Sequence, residues 1–316
     1  MTGGTARDND HLFRFVEQDE ERAERGGYSN YSYWRSTWRV FTGKRVAMFF
    51  LAALCLLLLF TFVQPLLPLQ KLPTQIFTDL AGRPMRNLGP SADFWFGTNA
   101  IGQDLWSRIW SGTRTSLFIG MAVGLLDAFF GIIVGALWGY VRRLNSFITE
   151  VYNVVYNIPR SIILILIAYI LRPGILTIIF AMSLTGWLLT ARYVRNMVII
   201  IRDREFNLAS RCLGTPTSRI ITKNLLPQLV SIIMMQVALA IPIAIGLEVF
   251  LTYIGLGLPV SIPSLGNLVN EGRIVMMSPS LRYQLIFPSI ILSVITISFY
   301  VIGNSFADAA DPKNHV

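Results

Sequence analysis

Residues 46–70 read Val-Ala-Met-Phe-Phe-Leu-Ala-Ala-Leu-Cys-Leu-Leu-Leu-Leu-Phe-Thr-Phe-Val-Gln-Pro-Leu-Leu-Pro-Leu-Gln, without one charged side chain. A helix needs about 20 apolar residues to cross the hydrocarbon core of a bilayer, so this run is read as a membrane span. It follows a charged stretch over 1–45, which starts it too late, and it is too long, for a cleaved signal peptide; it is expected to stay as an anchor. Working outward, 115–141 is interrupted only by Asp127, and 173–191, 224–247 and 283–307 carry no Asp, Glu, Lys or Arg. A sixth candidate, 151–171, contains Pro159 and Arg160 and is strongly apolar only in its second half.

Composition agrees with that reading. The 316 residues are 53% hydrophobic and 14% charged, with a mean hydropathy of +0.54, whereas soluble domains carry roughly 25% charged residues. The fold class implied is an all-α polytopic membrane protein with six spans, which puts both tails on one side. Two cysteines, Cys55 and Cys212, lie far apart without CxxC spacing, and the only histidines, His11 and His315, sit in the tails. Neither a disulfide framework nor a metal site is supported.

The net charge of +9 raises the question of a nucleic-acid partner, and its distribution answers it. With the amino tail inside, the inner segments are 1–45, 142–150, 192–223 and 308–316, and these hold 18 of the 27 Lys and Arg residues. That is the positive-inside pattern of a multi-pass cell-membrane protein with cytoplasmic termini, and no nucleic-acid partner is expected. At the end of the amino tail, Tyr31, Tyr33, Trp34, Trp38 and Phe41 alternate with Arg35, Arg39, Lys44 and Arg45, an amphipathic lead-in along the inner lipid surface. Residues 71–114 form a long outer segment, and 115–307 the main transmembrane domain.

The inner loop over 199–227 is the most informative polar stretch. It runs Arg202-Asp203-Arg204-Glu205-Phe206-Asn207-Leu208-Ala209-Ser210-Arg211-Cys212-Leu213-Gly214-Thr215-Pro216-Thr217-Ser218-Arg219 and reaches Leu226-Pro227. Local rules read helix, stop, helix: Gly214 past a helix end, Thr215 as N-cap and Pro216 at the first helical position. The expectation is a pair of short helices projecting from the membrane.

This loop resembles the cytoplasmic coupling loop of ATP-binding-cassette importer permeases, whose pattern is Glu-Ala-Ala, three residues, Gly, nine residues, Ile-x-Leu-Pro. Ala209, Gly214, Leu226 and Pro227 match it; Leu208, Ser210 and Asn224 depart, and Glu205 lies one turn before the missing acid. Phe96-Gly97-Thr98-Asn99-Ala100-Ile101-Gly102-Gln103-Asp104-Leu105-Trp106-Ser107-Arg108 is similar to the LGTDxxGRDxxSR segment of the oligopeptide, dipeptide and nickel permeases. Glu248 to Gly257 is similar to their EAxLSFLGLG, Pro263 to Asn267 to their PSWGN, and Ala307 to Pro312 to their DALDPR end. The resemblance covers about residues 94–312 and points to the C-type subunit of Gram-positive oligopeptide systems.

The resemblance implies a type I ABC importer permease fold and the uptake of oligopeptides, with dipeptides or nickel as alternatives. It implies a homologous B-type permease, two ABC ATPase subunits and an extracellular peptide-binding lipoprotein as partners. It also implies ATPase coupling through Glu205, Leu208, Ala209, Ser210, Gly214, Thr215, Pro216 and Pro227. The chain has no P-loop of its own, because Gly43-Lys44 is followed by Arg45 and Trp38 stands where the first glycine belongs. ATP and Mg would then be bound by the partner ATPases, with no cofactor and no enzymatic site in this chain.

Ionisable residues within spans suggest function by default. Asp127 is read either as facing the translocation path, where it meets a peptide amine, or as a structural acid, hydrogen-bonded or protonated. Arg160 is read as snorkelling or lining the inner cavity. Glu248, with Gly255 and Gly257, is assigned to an outer structural or gating role, and Pro159 and Pro242 to helix kinks. Two other classes fare worse: a secondary transporter calls for an inverted repeat, and an intramembrane enzyme for a motif such as HExxH or GxSxG, and neither is seen.

Overall fold

The computed structural model describes residues 33–68, 70–172 and 174–310. The calls on Asp8 to Glu24, His11, Tyr31, Asp311, Pro312 and His315 fall outside them. The helices are α1 (Tyr33–Gly43), α2 (Arg45–Val63, prolonged by a 3-10 turn Gln64–Leu66), α3 (Leu105–Tyr140), α4 (Arg142–Tyr156), α5 (Arg160–Ile170), α6 (Ile175–Arg202), α7 (Glu205–Cys212), α8 (Leu226–Tyr253), α9 (Leu265–Val275) and α10 (Tyr283–Ala310). Among the described residues there is no β-strand, and the outer segment carries three isolated bridges, Ile76 with Gln103, Thr78 with Pro84 and Thr98 with Asp104.

Five of these elements, α2 with its 3-10 turn, α3, α6, α8 and α10, are long and apolar enough to cross a bilayer. The expected sixth span over 151–171 is instead a broken one. Helices α4 and α5 meet at a bend of 75°, with Pro159 in extended conformation (φ −55°, ψ 123°) immediately before α5. Proline disfavours the α conformation in the residue ahead of it, here Ile158. Counted as one, the pair makes six spans; counted by helix, there are five.

Span ends also move. Helix α3 begins ten residues before the apolar run at 115, because Asp104 N-caps it by accepting the Ser107 N–H at 2.8 Å. At 36 residues it is about 54 Å long, well beyond the roughly 30 Å hydrocarbon core. Helix α6 likewise continues past 191 to Arg202, carrying Arg192 and Arg195. In both, cationic positions excluded by hydropathy alone are helical because they lie in overhanging ends or have protein partners.

The largest helix interface is that of α3 with α6, followed by those of α8 with α3 and α10. Small residues permit the close approach that packing within lipid depends on. A Cβ at Gly135 would fall 2.5 Å from the Ala191 carbonyl oxygen, and one at Gly139 would fall 2.8 Å from that of Arg195. Helix α1 lies against the end of α10, with Phe41 buried and its ring 5.8 Å from that of Phe306, and Lys44 Nζ 3.1 Å from Asp308 Oδ2. The two described ends of the chain therefore meet at one end of the bundle.

Candidate functional site

The loop over 199–227 forms around a small polar knot. Helix α7 ends at Cys212, and Gly214 follows in the left-handed conformation at φ +76°. Its N–H donates to the Arg211 carbonyl at 2.9 Å and the Thr215 N–H to that of Ser210 at 3.0 Å, which is the paired bonding of a Schellman motif. This corrects the expected cap. Thr215 closes the preceding helix, and Pro216, with ψ 146°, is the residue flanking the next one.

A second short helix is not separate either. Thr217–Arg219 leads through a π-helical stretch, Ile220–Leu225, directly into α8, with Pro227 at its start. The projection is thus one free-standing short helix, α7, beside the stem of a long one.

Two asparagines tie α7 to that stem. Asn207, fully buried, donates from Nδ2 to the Ile201 carbonyl at 2.8 Å, and Asn224 Nδ2 donates to Asn207 Oδ1 at 3.0 Å and to Ser210 Oγ at 3.4 Å. Asn224, a departure from the sequence pattern, is therefore the donor that fixes α7. Asn207 was not singled out by the pattern; its spacing from Asn224 carries no signal.

A basic collar completes the knot. Arg202 donates to both Asp203 carboxylate oxygens, at 3.2 and 3.0 Å, and to the Gly139 carbonyl at 2.8 Å. Arg211 donates to the Arg202 carbonyl at 2.9 Å and stands over the Tyr140 ring. The Arg202 guanidinium holds the Asp203 carboxyl below its ordinary range, and the charges of Arg142 and Arg211 add to this. What α7 leaves outward is a mixed surface: Glu205 and Ala209 are exposed, Ser210 is half-buried, and the apolar side chains of Phe206, Leu208 and Leu213 are 46%, 45% and 85% exposed. Among the described residues Glu205 forms no ion pair. A rigid stub with an apolar tip is suited to seat in a groove of another protein.

The membrane-buried acids have different settings. Glu248 of α8 is fully buried and accepts hydrogen bonds from Ser264 Oγ at 2.7 Å, Ser116 Oγ at 3.3 Å and Thr252 Oγ1 at 3.4 Å. It joins α8 to α3 and to the start of α9, where Ser264 is also the N-cap. The hydroxyl partners of Glu248 thus come from three separate helices or helix starts. Gly255 (φ +81°) ends α8 in a second Schellman motif, and a Cβ at Gly257 would lie 2.1 Å from Thr252 Oγ1.

Nearby, fully buried Arg108 of α3 donates from Nη2 to Glu271 Oε1 of α9 at 2.7 Å and from Nη1 to Gln103 Oε1, while Asn99 donates to Glu271 Oε2 at 3.2 Å. This clamp between the outer segment and α9 was not singled out in the sequence, since its partners are 163 residues apart. Asp127 and Arg160 meet one shared cavity between α3, α5, α6 and α8.

A bundle of long apolar helices with one broken span defines a multi-pass membrane protein, and the comparisons give its family. Residues 129–316 match the model for the binding-protein-dependent transport system inner membrane component, and 32–90 match that for the N-terminal TM domain of oligopeptide transport permease C. The chain is 35% identical over 303 residues to the oligopeptide transport system permease protein AmiD of Streptococcus pneumoniae, covering 96% of this chain and 97% of that protein. It is 35% identical over 305 residues to the dipeptide transport system permease protein DppC of Bacillus subtilis, covering 96% and 93%. A solved structure of the MetNI methionine ABC transporter in inward-facing conformations superposes with a TM-score of 0.50 at 18% identity, over 64% of this chain and 96% of that one, which shows the fold. The chain belongs to the binding-protein-dependent transport inner membrane component family and is a multi-pass membrane protein with the ABC importer permease fold.

Proposed function

We propose that this chain is the C-type permease subunit of an ATP-driven importer of peptides. It would line one side of the translocation path opposite a homologous permease. Two separate ATPase subunits would bind ATP and Mg, and an external binding protein would deliver the peptide. The observation that carries this reading is the stub itself: α7, pinned by Asn207 and Asn224, exposes Phe206 and Leu208, with Leu213 exposed at its end. Closure of an ATPase pair around it would be transmitted along α8, which is continuous with the stem, and along α6, which ends in the same knot. The loop and both tails are then cytoplasmic, in line with the positive-inside count. Relatives named for oligopeptide and dipeptide transport support a peptide cargo. Oligopeptides are the first choice and dipeptides the second; nickel is disfavoured because His and Cys are missing from the spans apart from Cys55.

The test is to purify the chain with the products of neighbouring genes and measure ATP hydrolysis in lipid nanodiscs. Stimulation by an external binding protein loaded from a peptide library is the expected result. A complex assembling with no ATPase, or stimulated only by a non-peptide cargo, would overturn the reading.

A further inference from the structure

Asp127 is only 5% exposed, and among the described residues its Oδ1 has no hydrogen-bond donor. Among the described residues it is the one buried carboxylate so left: Glu248 is supplied by three hydroxyls and Glu271 by Arg108 and Asn99. An unpaired ionisable group in the hydrocarbon region is costly, so its persistence calls for a use. Arg160 is incomplete in the same way. One Nη2 hydrogen bond, to the Met182 carbonyl at 3.1 Å, holds it, and its Nε has no acceptor. The two do not close on each other as Arg108 and Glu271 do at 2.7 Å. Thr185 Oγ1, also buried, is without a hydrogen-bond partner among the described residues.

These atoms border two cavities that share Arg160, Gly186 and Leu189. One, of ≈ 30 Å³, holds the carboxylate and is lined further by Thr190 and Gln236. The other, of ≈ 300 Å³, sits at the α4–α5 bend beside Tyr156, Pro159, Ile163 and Thr185. Gly186 sits against the acid: a Cβ there would stand 2.0 Å from Asp127 Oδ2. The missing side chain is what gives the carboxylate its place at the junction. Small-ligand pockets run from about 300 to 1,000 Å³, so the larger cavity has room for the end of a chain-like ligand and not for its whole length.

A ligand that satisfies this set must offer a cation to Asp127 Oδ1 and, close by, a carbonyl oxygen to Arg160 Nε, with a tolerant apolar wall around whatever lies between. The ammonium, Cα and carbonyl of an amino-terminal residue have that arrangement, and every unblocked peptide has it regardless of side chain. We propose that Asp127 and Arg160 form a membrane-buried subsite that recognises the free amino terminus of a peptide as it crosses. The inference rests on the peptide reading above. It makes the permease itself a selector of the main chain, one that is indifferent to side chains.

The test uses the assembled complex of this chain, its partner permease and the ATPases in nanodiscs, without binding protein. Binding of trialanine amide is compared with that of N-acetyl-trialanine amide, which lacks the charge. The expected preference for the free amine is at least about tenfold in Kd, falling to within about twofold in Asp127→Asn and weakened in Gly186→Ala, which keeps the acid but displaces it. Equal binding of both probes to the unaltered complex, binding of neither, or an undiminished preference in Asp127→Asn would each overturn the proposal. Should Asp127→Asn fail to assemble, the two-probe comparison on the unaltered complex decides. Uptake with binding protein separates the two claims: a complex that imports peptides yet binds neither probe loses the subsite and keeps the permease reading, whereas one that imports none loses the permease reading.

Discussion

Replacing Glu271 by Ala removes the counter-charge of Arg108, a side chain with no solvent exposure, and leaves Asn99 short of an acceptor. Stripping one partner from a buried pair costs about 3–5 kcal/mol, because the other charge stays behind in a low-dielectric site. Glu271 is 23% exposed, so water can enter after truncation and the lower value, about 3 kcal/mol, is expected. At about 2–4 °C per kcal/mol for a domain of this size, the melting midpoint should fall by on the order of 6–12 °C. Fluorescence-detected thermal unfolding of the purified protein measures it. The double variant Arg108→Met with Glu271→Leu should recover more than half of the loss, since an apolar pair of similar volume orphans no charge. A midpoint for Glu271→Ala within about 1 °C of the unaltered protein, or a double variant no better than the single one, would refute the reasoning.

Gly214→Val should insert and assemble normally but lose ATPase stimulation by loaded binding protein, because φ +76° costs a β-branched residue about 1–2 kcal/mol or more and displaces α7; normal stimulation and uptake would count against this. Asp203, held below its ordinary range by Arg202, adds stability that is present above about pH 4, its unfolded value, and is lost as pH falls through its lower folded value. As a mostly exposed group it contributes less than about 1 kcal/mol. Asp203→Asn should therefore melt slightly below the unaltered protein at pH 6, with the gap narrowing as pH falls below about 4 and shrinking in high salt.

The spans were legible because residues such as those of 46–70 carry no charge, and the Gly214 turn because only glycine enters the left-handed region freely. Span ends were not. Arg108 and Arg114 interrupt the hydropathy signal although α3 runs straight through them, one paired with Glu271 and the other donating to the Thr61 carbonyl. The bend at Pro159 was visible as a kink but not as a broken span, since a proline marks where a helix can bend and not by how much. Thr215 was misread as a cap because Ser and Thr favour that place, while the bond from its own N–H to Ser210 settles it otherwise. In the loop over 199–227 the pattern match marked Ala209, Gly214, Leu226 and Pro227, whereas Asn207, which ties α7 to the stem through Asn224, matches no pattern and is recognised only by its partners. Asp127 stood out as an acid in an apolar run; that Gly186 faces it depends on the register of α3 against α6.

The central claim is that α7 is the surface on which an ATPase docks. Cys212, exposed at the end of that helix, tests it directly once Cys55 is replaced by Ala. In the complete complex, single cysteines placed along the ATPase groove should cross-link to Cys212 with a yield that changes on adding ATP. Failure to cross-link from every groove position, in a complex shown to be intact, would contradict the account.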